Sequence, residues 1–298
     1  MKNLILLCFC WCPFVLVAQI QQNINKPSGT VSNPIFVIDS IQFNAAGDEM
    51  QVVFLDSTLV THPIFEIESV TFSAISLENS SEHSCGVADV HNEELIYGIM
   101  VDQEGNLYKT IVIGDQEWMA ENLKTGKYRN GEEIPTNLND IEWENTLQTE
   151  QGAWAWFADD SLNECPFGKL YNWFAATDVR NVCPVGWHVP STEEWISLAN
   201  SLGGEDVAGG KMKSIGFNYW QSPNELATNE CGFSGLPSGD RDIDGSYNNQ
   251  NFQGIFWSTT ESDAEYAIAK RLLYNFSLLF TDDNGYKQAG FSIRCIRD

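Results

Sequence analysis

The chain has 298 residues, of which 43% are hydrophobic and 12% aromatic, enough for one large or two modest domains with a substantial core. Its 41 acidic and 16 basic residues give a formal charge of −25, which repels phosphate backbones and excludes nucleic acid as a natural partner. Ten tryptophans and 23 glycines indicate a loop-rich fold rather than a helical bundle, and the charge favours basic partners or bound cations.

The first 18 residues have the pattern of a secretory signal peptide. Lys2 precedes an apolar run from Leu4 to Val17, and Ala18 precedes Gln19. The run is too short for a comfortable membrane span, and no comparable run follows. We therefore expect a mature chain without a transmembrane segment that is secreted, periplasmic or on the cell surface. Residues 19–33 are polar and contain proline and glycine, which predicts a flexible leader.

A nine-residue pattern then occurs twice, as IFVIDSIQF from Ile35 and as IFEIESVTF from Ile64. Both copies are rich in β-branched and aromatic residues, and so is the run from Met50 to Leu55 between them. Two copies are too few for a solenoid. The pattern predicts a small all-β module over residues 34–75, followed by a serine-rich linker over 76–94.

The rest of the chain mixes strand and helix signals. Residues 97–113 read as a hairpin with a Gly-Asn turn. Ser191 with Glu194 three residues later forms a capping box, and Trp195 and Leu198 begin a helical repeat of apolar positions, so a capped helix is predicted from Ser191 to Leu202. Closing strands are predicted at 256–261, 267–274, 278–281 and 291–296, with residues 282–285 (Asp-Asp-Asn-Gly) as a hairpin turn.

Five cysteines remain after the predicted signal peptide: Cys85, Cys165, Cys183, Cys231 and Cys295. In an oxidising compartment, two disulfides and one free thiol are the simplest arrangement. His83 and His91 flank Cys85, but their spacing fits no common class of zinc site. A disulfide is therefore the favoured role for Cys85.

Alternating acidic residues resemble the front of a calcium loop. Asp240, Asp242 and Asp244 are followed by a glycine and then by Asn248, which is the oxygen-rich pattern that calcium requires. Asn251 stands where the closing glutamate would be. Two hypotheses stay open: a weak calcium site formed by Asp240, Asp242, Asp244 and Asn248, or a solvated acidic turn.

No catalytic set is visible in the sequence. His188 has no partner motif, since no Gly-x-Ser-x-Gly elbow is present, and a structural role is the simpler interpretation. A sugar-stacking platform could be formed by some of the tryptophans, although most are expected in the core. The tryptophans considered are Trp118, Trp143, Trp154, Trp156, Trp220 and Trp257.

Seven stretches, in chain order, resemble the Fibrobacter succinogenes major paralogous domain. They are IGDQEWMAENL (113–123), GKLYNWFA (168–175), CPVGWHVPSTEEW (183–195), GGKMK (209–213), SPNELATNECGFSGLPSG (222–239), FWSTTES (256–262) and GFSIRCIRD (290–298). The resemblance implies one domain over residues 95–298. Because the family is thought to be related to C-type-lectin-like folds, it also implies an α+β, C-type-lectin-like domain after the small all-β module, with a disulfide between Cys183 and Cys295. We further predict that Cys85 pairs with Cys165 and that Cys231 stays free.

The resemblance carries no activity. True C-type lectins hold calcium and sugar with Glu-Pro-Asn and Trp-Asn-Asp, whereas the nearest strings here, at 222–224 and 257–259, lack the carboxylates. We expect a secreted or cell-surface binding module, without catalytic activity, for a glycan or a protein. The alternatives are an enzyme of the formylglycine-generating type, suggested by fold kinship and by the isolated Cys231, or a structural surface component.

Overall fold

The computed structural model describes residues 20–26, 29–34, 38–43, 49–54, 59–63, 69–74 and 81–298. The chain divides into two compact units, Met1–Ser76 and Leu77–Asp298. The predicted signal peptide lies outside the described residues. No helix in the described ranges combines the length and the apolar character needed to cross a membrane.

The described residues of the first unit form two antiparallel sheets of three strands each. The strands are β1 (Ile20–Lys26), β2 (Gly29–Pro34), β3 (Ile38–Phe43), β4 (Glu49–Phe54), β5 (Leu59–Pro63) and β6 (Ser69–Ala74). Their orders are β2-β1-β6 and β3-β4-β5. The strands β3 and β6, which contain the ends of the two sequence repeats, therefore belong to different sheets.

The prediction of a flexible leader over residues 19–33 is wrong. Strand β1 is the central strand of its sheet, and Ile24 pairs with Val31 on one side and with Val70 on the other. Pairing on both edges satisfies the backbone groups of this polar segment, which composition alone does not reveal. The β-module thus begins at residue 20 rather than at residue 34.

The second unit is α+β, with mostly antiparallel sheets. Its strands are β7 (Gly98–Val101), β8 (Leu107–Ile113), β9 (Gln116–Met119), β10 (Trp154–Ala155), β11 (Leu170–Tyr171), β12 (Trp187–His188), β13 (Asp240–Arg241), β14 (Tyr247–Asn248), β15 (Gln253–Glu261), β16 (Tyr266–Leu273), β17 (Leu279–Tyr286) and β18 (Ile296–Arg297). Its α-helices are α1 (Asp140–Glu144), α2 (Thr146–Thr149), α3 (Glu164–Phe167), α4 (Trp173–Ala176), α5 (Thr192–Ser201) and α6 (Glu205–Met212). Short 3₁₀ turns occupy Phe157–Asp159 and Ser161–Asn163.

A five-stranded sheet of order β12-β18-β9-β8-β7 joins the two ends of this unit. The predicted hairpin is confirmed as β7 and β8, with Gly105 at a φ of 83° in the turn, where the lack of a Cβ removes the steric cost. In β18, Ile296 pairs with His188 on one side and with Trp118 on the other. The last residues of the chain therefore lie inside the sheet. A second sheet has the order β15-β16-β17.

Helix α5 begins as the sequence predicts. Ser191 accepts a hydrogen bond from the Glu194 amide while the Glu194 side chain accepts from the Ser191 amide, so the capping box is confirmed. The buried face of the helix contains Trp195, Leu198 and Ala199. The Trp195 ring lies 4.7 Å from that of Trp118 in β9, so the helix packs on the five-stranded sheet through an aromatic pair.

Both predicted disulfides are present in the structure. Cys183 and Cys295 are bonded in the core and fully buried, and Cys85 is bonded to Cys165 near the surface. Among the described cysteines, Cys231 is free.

The prediction of a linker over residues 76–94 is wrong from residue 81 onward. Val90 and His91 are buried, and the Ser84 amide donates to the buried carboxylate of Glu121 at 2.7 Å. These contacts, with the Cys85–Cys165 bond, make residues 81–94 part of the second unit. The buried residues His83, Val90 and His91 anchor this otherwise largely exposed segment.

The predicted hairpin turn at Asp282–Gly285 is also wrong, because the segment continues strand β17. Gly285 pairs with Ala267 across the sheet, next to an irregularity in register. A Cβ on Gly285 would lie only 3.1 Å from the Trp257 ring. The glycine thus permits close packing within a strand, and it does not mark a turn.

Candidate functional site

The predicted calcium ligands lie on the hairpin of β13 and β14, where Asp240 is paired with Asn248. Asp240 is buried and accepts hydrogen bonds from Asn249 Nδ2 (2.9 Å) and Gln253 Nε2 (2.8 Å). Burial raises the pKa of Asp240 above its ordinary value, although these two hydrogen bonds oppose the shift. Asp240 is therefore held within the fold by neutral amide donors.

The other predicted ligands point elsewhere. Asp242 and Asp244 are exposed, and Asp244 accepts from the amide and the hydroxyl of Ser246 at 3.0 and 2.6 Å. Within the part of the chain that the structure describes, the carboxylate oxygens of Asp240, Asp242 and Asp244 do not all come within 4.8 Å of one another. The three predicted carboxylates are therefore not gathered around one point among the described residues, and the calcium site stays a prediction.

His188, at the end of β12, links three parts of the fold. Its Nδ1 lies 2.6 Å from Asp298 Oδ1 and its Nε2 lies 2.8 Å from Glu194 Oε1. Partial burial lowers the pKa of His188, but the hydrogen bonds to Asp298 and Glu194 outweigh this and raise it above its ordinary value. The raised pKa favours the protonated form of this imidazole, which lies half-buried between Asp298 and the cap of α5.

A cleft of about 340 Å³ opens beside His188, where helix α4, strand β12 and the far end of strand β15 meet. Its wall combines an aromatic ring, a carboxylate, an imidazole, hydroxyl groups and an amide. The lining residues are Trp173, Ala176, Thr177, Asp178, Asn181, His188, Val189 and Thr259.

Trp173 supplies the aromatic surface of this cleft. It is half-buried at the start of α4, which Asn172 caps by accepting from the Ala175 amide at 3.0 Å. The indole Nε1 donates to the Ser258 carbonyl at 3.0 Å, and Lys287 Nζ lies 4.7 Å from the ring centroid. The hydrogen bond and the cation–π contact fix the orientation of the ring before any ligand arrives.

Polar groups around the ring are held in place as well. Asp178 accepts from Arg180 Nε and Nη2 at 2.9 and 2.7 Å, and these hydrogen bonds lower the pKa of the carboxyl group. Thr177 Oγ1 donates to the Trp173 carbonyl at 2.9 Å. Thr259 is exposed, and its amide donates to the Pro190 carbonyl at 2.9 Å. The cleft thus presents pre-positioned hydrogen-bonding groups next to an aromatic ring, a combination suited to a polar ligand with an apolar face.

A second cleft of about 480 Å³ lies between helices α5 and α6 and strand β17. None of the described residues that line it is aromatic: they are Thr192, Ile196, Asn200, Glu205, Asp206 and Thr281. Glu205 is already paired with Lys270 Nζ at 2.6 Å. This cleft therefore lacks the aromatic surface that the cleft at Trp173 provides.

The interior contains a polar cluster of His83, His91, Glu121 and Arg294, which the sequence does not predict. His91 Nε2 donates to Glu121 Oε1 at 3.0 Å, and the His83 ring lies 5.9 Å from that of His91. Burial, which outweighs the attraction of Glu121, lowers the pKa of His83 to about 3, and burial also lowers the pKa of His91. Burial alone would raise the pKa of Glu121, yet the hydrogen bonds from His91 and the Ser84 amide help hold it at about 2.

Arg294 balances the charge of this cluster. It is fully buried, and its guanidinium donates to Asn122 Oδ1 and to the carbonyls of Met119 and Phe233 at 2.6 to 3.0 Å. Burial lowers the pKa of Arg294 to about 9, and Glu121 acts against that shift. At neutral pH the cluster therefore holds one carboxylate, one guanidinium and two neutral imidazoles.

The tryptophans considered as a sugar platform lie mostly in the core. Trp118, Trp143, Trp154, Trp220 and Trp257 are buried. Trp156 is half-buried, and its Nε1 donates to Glu164 at 2.8 Å. The ring in the cleft belongs to Trp173, and no sequence signal separates it from the core tryptophans.

Cys231 is partly buried, and its Sγ lies 3.2 Å from the Lys211 carbonyl. Burial raises the pKa of its thiol to about 11. The group therefore stays protonated at neutral pH, whereas a nucleophilic cysteine requires the thiolate.

Comparison with curated proteins finds no match, and comparison with solved structures finds none either. A family model, described as the Fibrobacter succinogenes major domain, matches residues 111–297. The match spans more than half of the chain and contains strand β9, helix α5, the cleft at Trp173 and the Cys183–Cys295 disulfide. The chain belongs to the Fibrobacter succinogenes major domain family.

Proposed function

We propose that this chain is a secreted or cell-surface binding module with a C-type-lectin-like domain, and that it binds a hydroxyl-rich ligand such as a glycan in the cleft at Trp173. The observation that carries the proposal is the ring of Trp173, held beside Asp178, His188 and Thr259 in one cleft. An aromatic ring provides a surface for the C–H face of a sugar, while the Asp178 carboxylate and the hydroxyls of Thr177 and Thr259 can bind its hydroxyls.

Charge and redox chemistry agree with this proposal. A formal charge of −25 disfavours polyanionic ligands, and two disulfides in the second unit are typical of proteins outside the cytosol. The proposal gives calcium no role in the cleft, because none of Asp240, Asp242 and Asp244 lines it. The alternative of a formylglycine-type enzyme is motivated by fold kinship and stays a hypothesis; at Cys231 itself, the raised pKa works against thiol chemistry.

A glycan array probed with the purified full chain tests the proposal. We expect binding to a limited set of glycans, unchanged when calcium is removed with a chelator, and lost in Trp173→Ala. Phe217→Ala is the matched control, because Phe217 is a 65% exposed aromatic side chain outside the cleft. Near-ultraviolet circular dichroism verifies that each variant keeps its tertiary packing.

A second variant guards against a folding effect of Trp173→Ala. Thr259→Val alters only an exposed hydroxyl that lines the cleft and should weaken binding without changing stability. If no glycan binds, or if both cleft variants bind as the wild type does, the proposed site is wrong.

A further inference from the structure

Three side chains of the second unit, none of which lines the cleft at Trp173, lie close together. The Nδ1 of His83 and the Sγ atoms of Cys85 and Cys165 all lie within 4.8 Å of one another. His83 Nδ1 is 2.9 Å from Cys85 Sγ. The sequence shows only the His-x-Cys pair, and the fold adds Cys165 from 80 residues further along the chain.

The imidazole of His83 is oriented like that of a metal ligand. Its Nδ1 accepts a long hydrogen bond of 3.2 Å from the Cys85 amide, so the ring proton is on Nε2, and an ion bound at Nδ1 would replace this hydrogen bond. That Nε2 lies 3.7 Å from Glu121 Oε2. Both of these atoms are buried and lack any hydrogen-bond partner among the described residues.

A carboxylate behind the second ring nitrogen is the usual support of a histidine that binds a metal. Glu121 is itself fixed, because its other oxygen accepts from the Ser84 amide at 2.7 Å and from His91 at 3.0 Å. A shift of less than about 1 Å would bring Nε2 and Oε2 to hydrogen-bond distance. Glu121 therefore lies where the support of a metal-bound His83 would be, one small shift from hydrogen-bond distance.

We propose that reduction of the Cys85–Cys165 disulfide converts this set into a site for a soft divalent cation, with Zn²⁺ as the best fit. An external dithiol supplies two electrons: it becomes a disulfide, and the S–S bond of the protein becomes two thiols. Metal binding then displaces the two thiol protons, so two thiolates and His83 Nδ1 bind the ion, with water in the fourth position.

The required movement is small. In a tetrahedral zinc site two thiolate sulfurs lie about 3.8 Å apart, so the sulfurs must separate by roughly 2 Å after the bond opens. Cys85 is exposed and lies in irregular chain, where such a shift meets little packing. Cys183 and Cys295 are fully buried, so a mild reductant reaches the Cys85–Cys165 bond first.

Cobalt(II) tests the site directly, because thiolate ligands give it an intense charge-transfer band in the near ultraviolet. The full chain is treated with a phosphine reductant under native conditions, and maleimide labelling with peptide mapping verifies that Cys85 and Cys165, but not Cys183 and Cys295, are free. We expect the reduced protein to develop the band with one equivalent of Co²⁺ and to lose it when Zn²⁺ is added. The oxidised protein should show no band.

Three variants locate the ligands. Cys85→Ser with Cys165→Ser should abolish the band, and His83→Asn should weaken metal binding by at least tenfold. Cys231→Ser, the matched control that removes a free cysteine outside the set, should bind as the wild type does. The proposal is overturned if the reduced wild type shows no band, if the double serine variant keeps it, or if His83→Asn binds with unchanged affinity.

Discussion

The carboxylate of Glu121 should be among the most costly charges to remove from the second unit. It is fully buried and accepts hydrogen bonds from His91 and the Ser84 amide. Glu121→Gln keeps the shape and one acceptor oxygen, but it leaves the buried guanidinium of Arg294 without a compensating charge. Removing one partner from a buried set of charges costs about 3–5 kcal/mol, a large fraction of the stability of an ordinary domain.

Urea unfolding followed by tryptophan fluorescence measures this cost, since the core tryptophans report on the second unit. Glu230→Gln is the matched control, because the Glu230 side chain is 53% exposed in its ion pair with Lys211, and such a pair contributes at most about 1 kcal/mol. If Glu121→Gln lowers the free energy of unfolding by no more than Glu230→Gln does, the electrostatic account of the buried cluster is wrong.

Leu198→Ala should lower the free energy of unfolding by about 2–5 kcal/mol through loss of core packing. Ile196→Ala, on the exposed face of the same helix, should change it by less than about 1 kcal/mol. Equal effects of the two substitutions in urea unfolding would refute the described orientation of the helix. The pKa of His188 is raised in the folded state, so its contribution to stability is complete below the unfolded pKa of about 6.5 and is lost as the pH rises through the folded pKa. The difference in melting temperature between the wild type and His188→Gln should therefore shrink from pH 6 to pH 9. A constant difference would contradict the ion pairs. Because Asp240, Asp242 and Asp244 do not converge, millimolar calcium should leave the melting temperature unchanged. A rise in melting temperature that Asp242→Asn with Asp244→Asn abolishes would support the calcium site.

The sequence predicts correctly those elements that depend on residues close together along the chain. Ser191 and Glu194 cap helix α5 as their spacing predicts, because a capping box involves residues only three positions apart. The hairpin of β7 and β8 forms around Gly105 for the same reason. The Cys183–Cys295 disulfide was predicted from the family resemblance, which implies this pairing.

Elements and clusters that depend on residues far apart in the sequence could not be predicted from it. Asn284 and Gly285 favour a turn, yet pairing with Ala267 and packing on Trp257 extend the strand through them. The side chains of His83 and Glu121 meet although 38 positions separate them in the sequence. The polar, serine-rich segment over residues 76–94 is predicted to be a linker unless these distant partners are known. Residues 20–26 show the same limit, since a polar strand is identified by the two strands beside it.

Isothermal titration calorimetry of the wild type and Trp173→Ala, with a glycan selected on the array, tests the central claim most directly. If the indole is the anchor of the cleft, its removal should cost at least about 2 kcal/mol of binding free energy, which is roughly a thirtyfold rise in Kd. Phe217→Ala should bind with the Kd of the wild type. A Trp173→Ala variant that is folded and binds with unchanged Kd would show that the ligand binds outside the cleft.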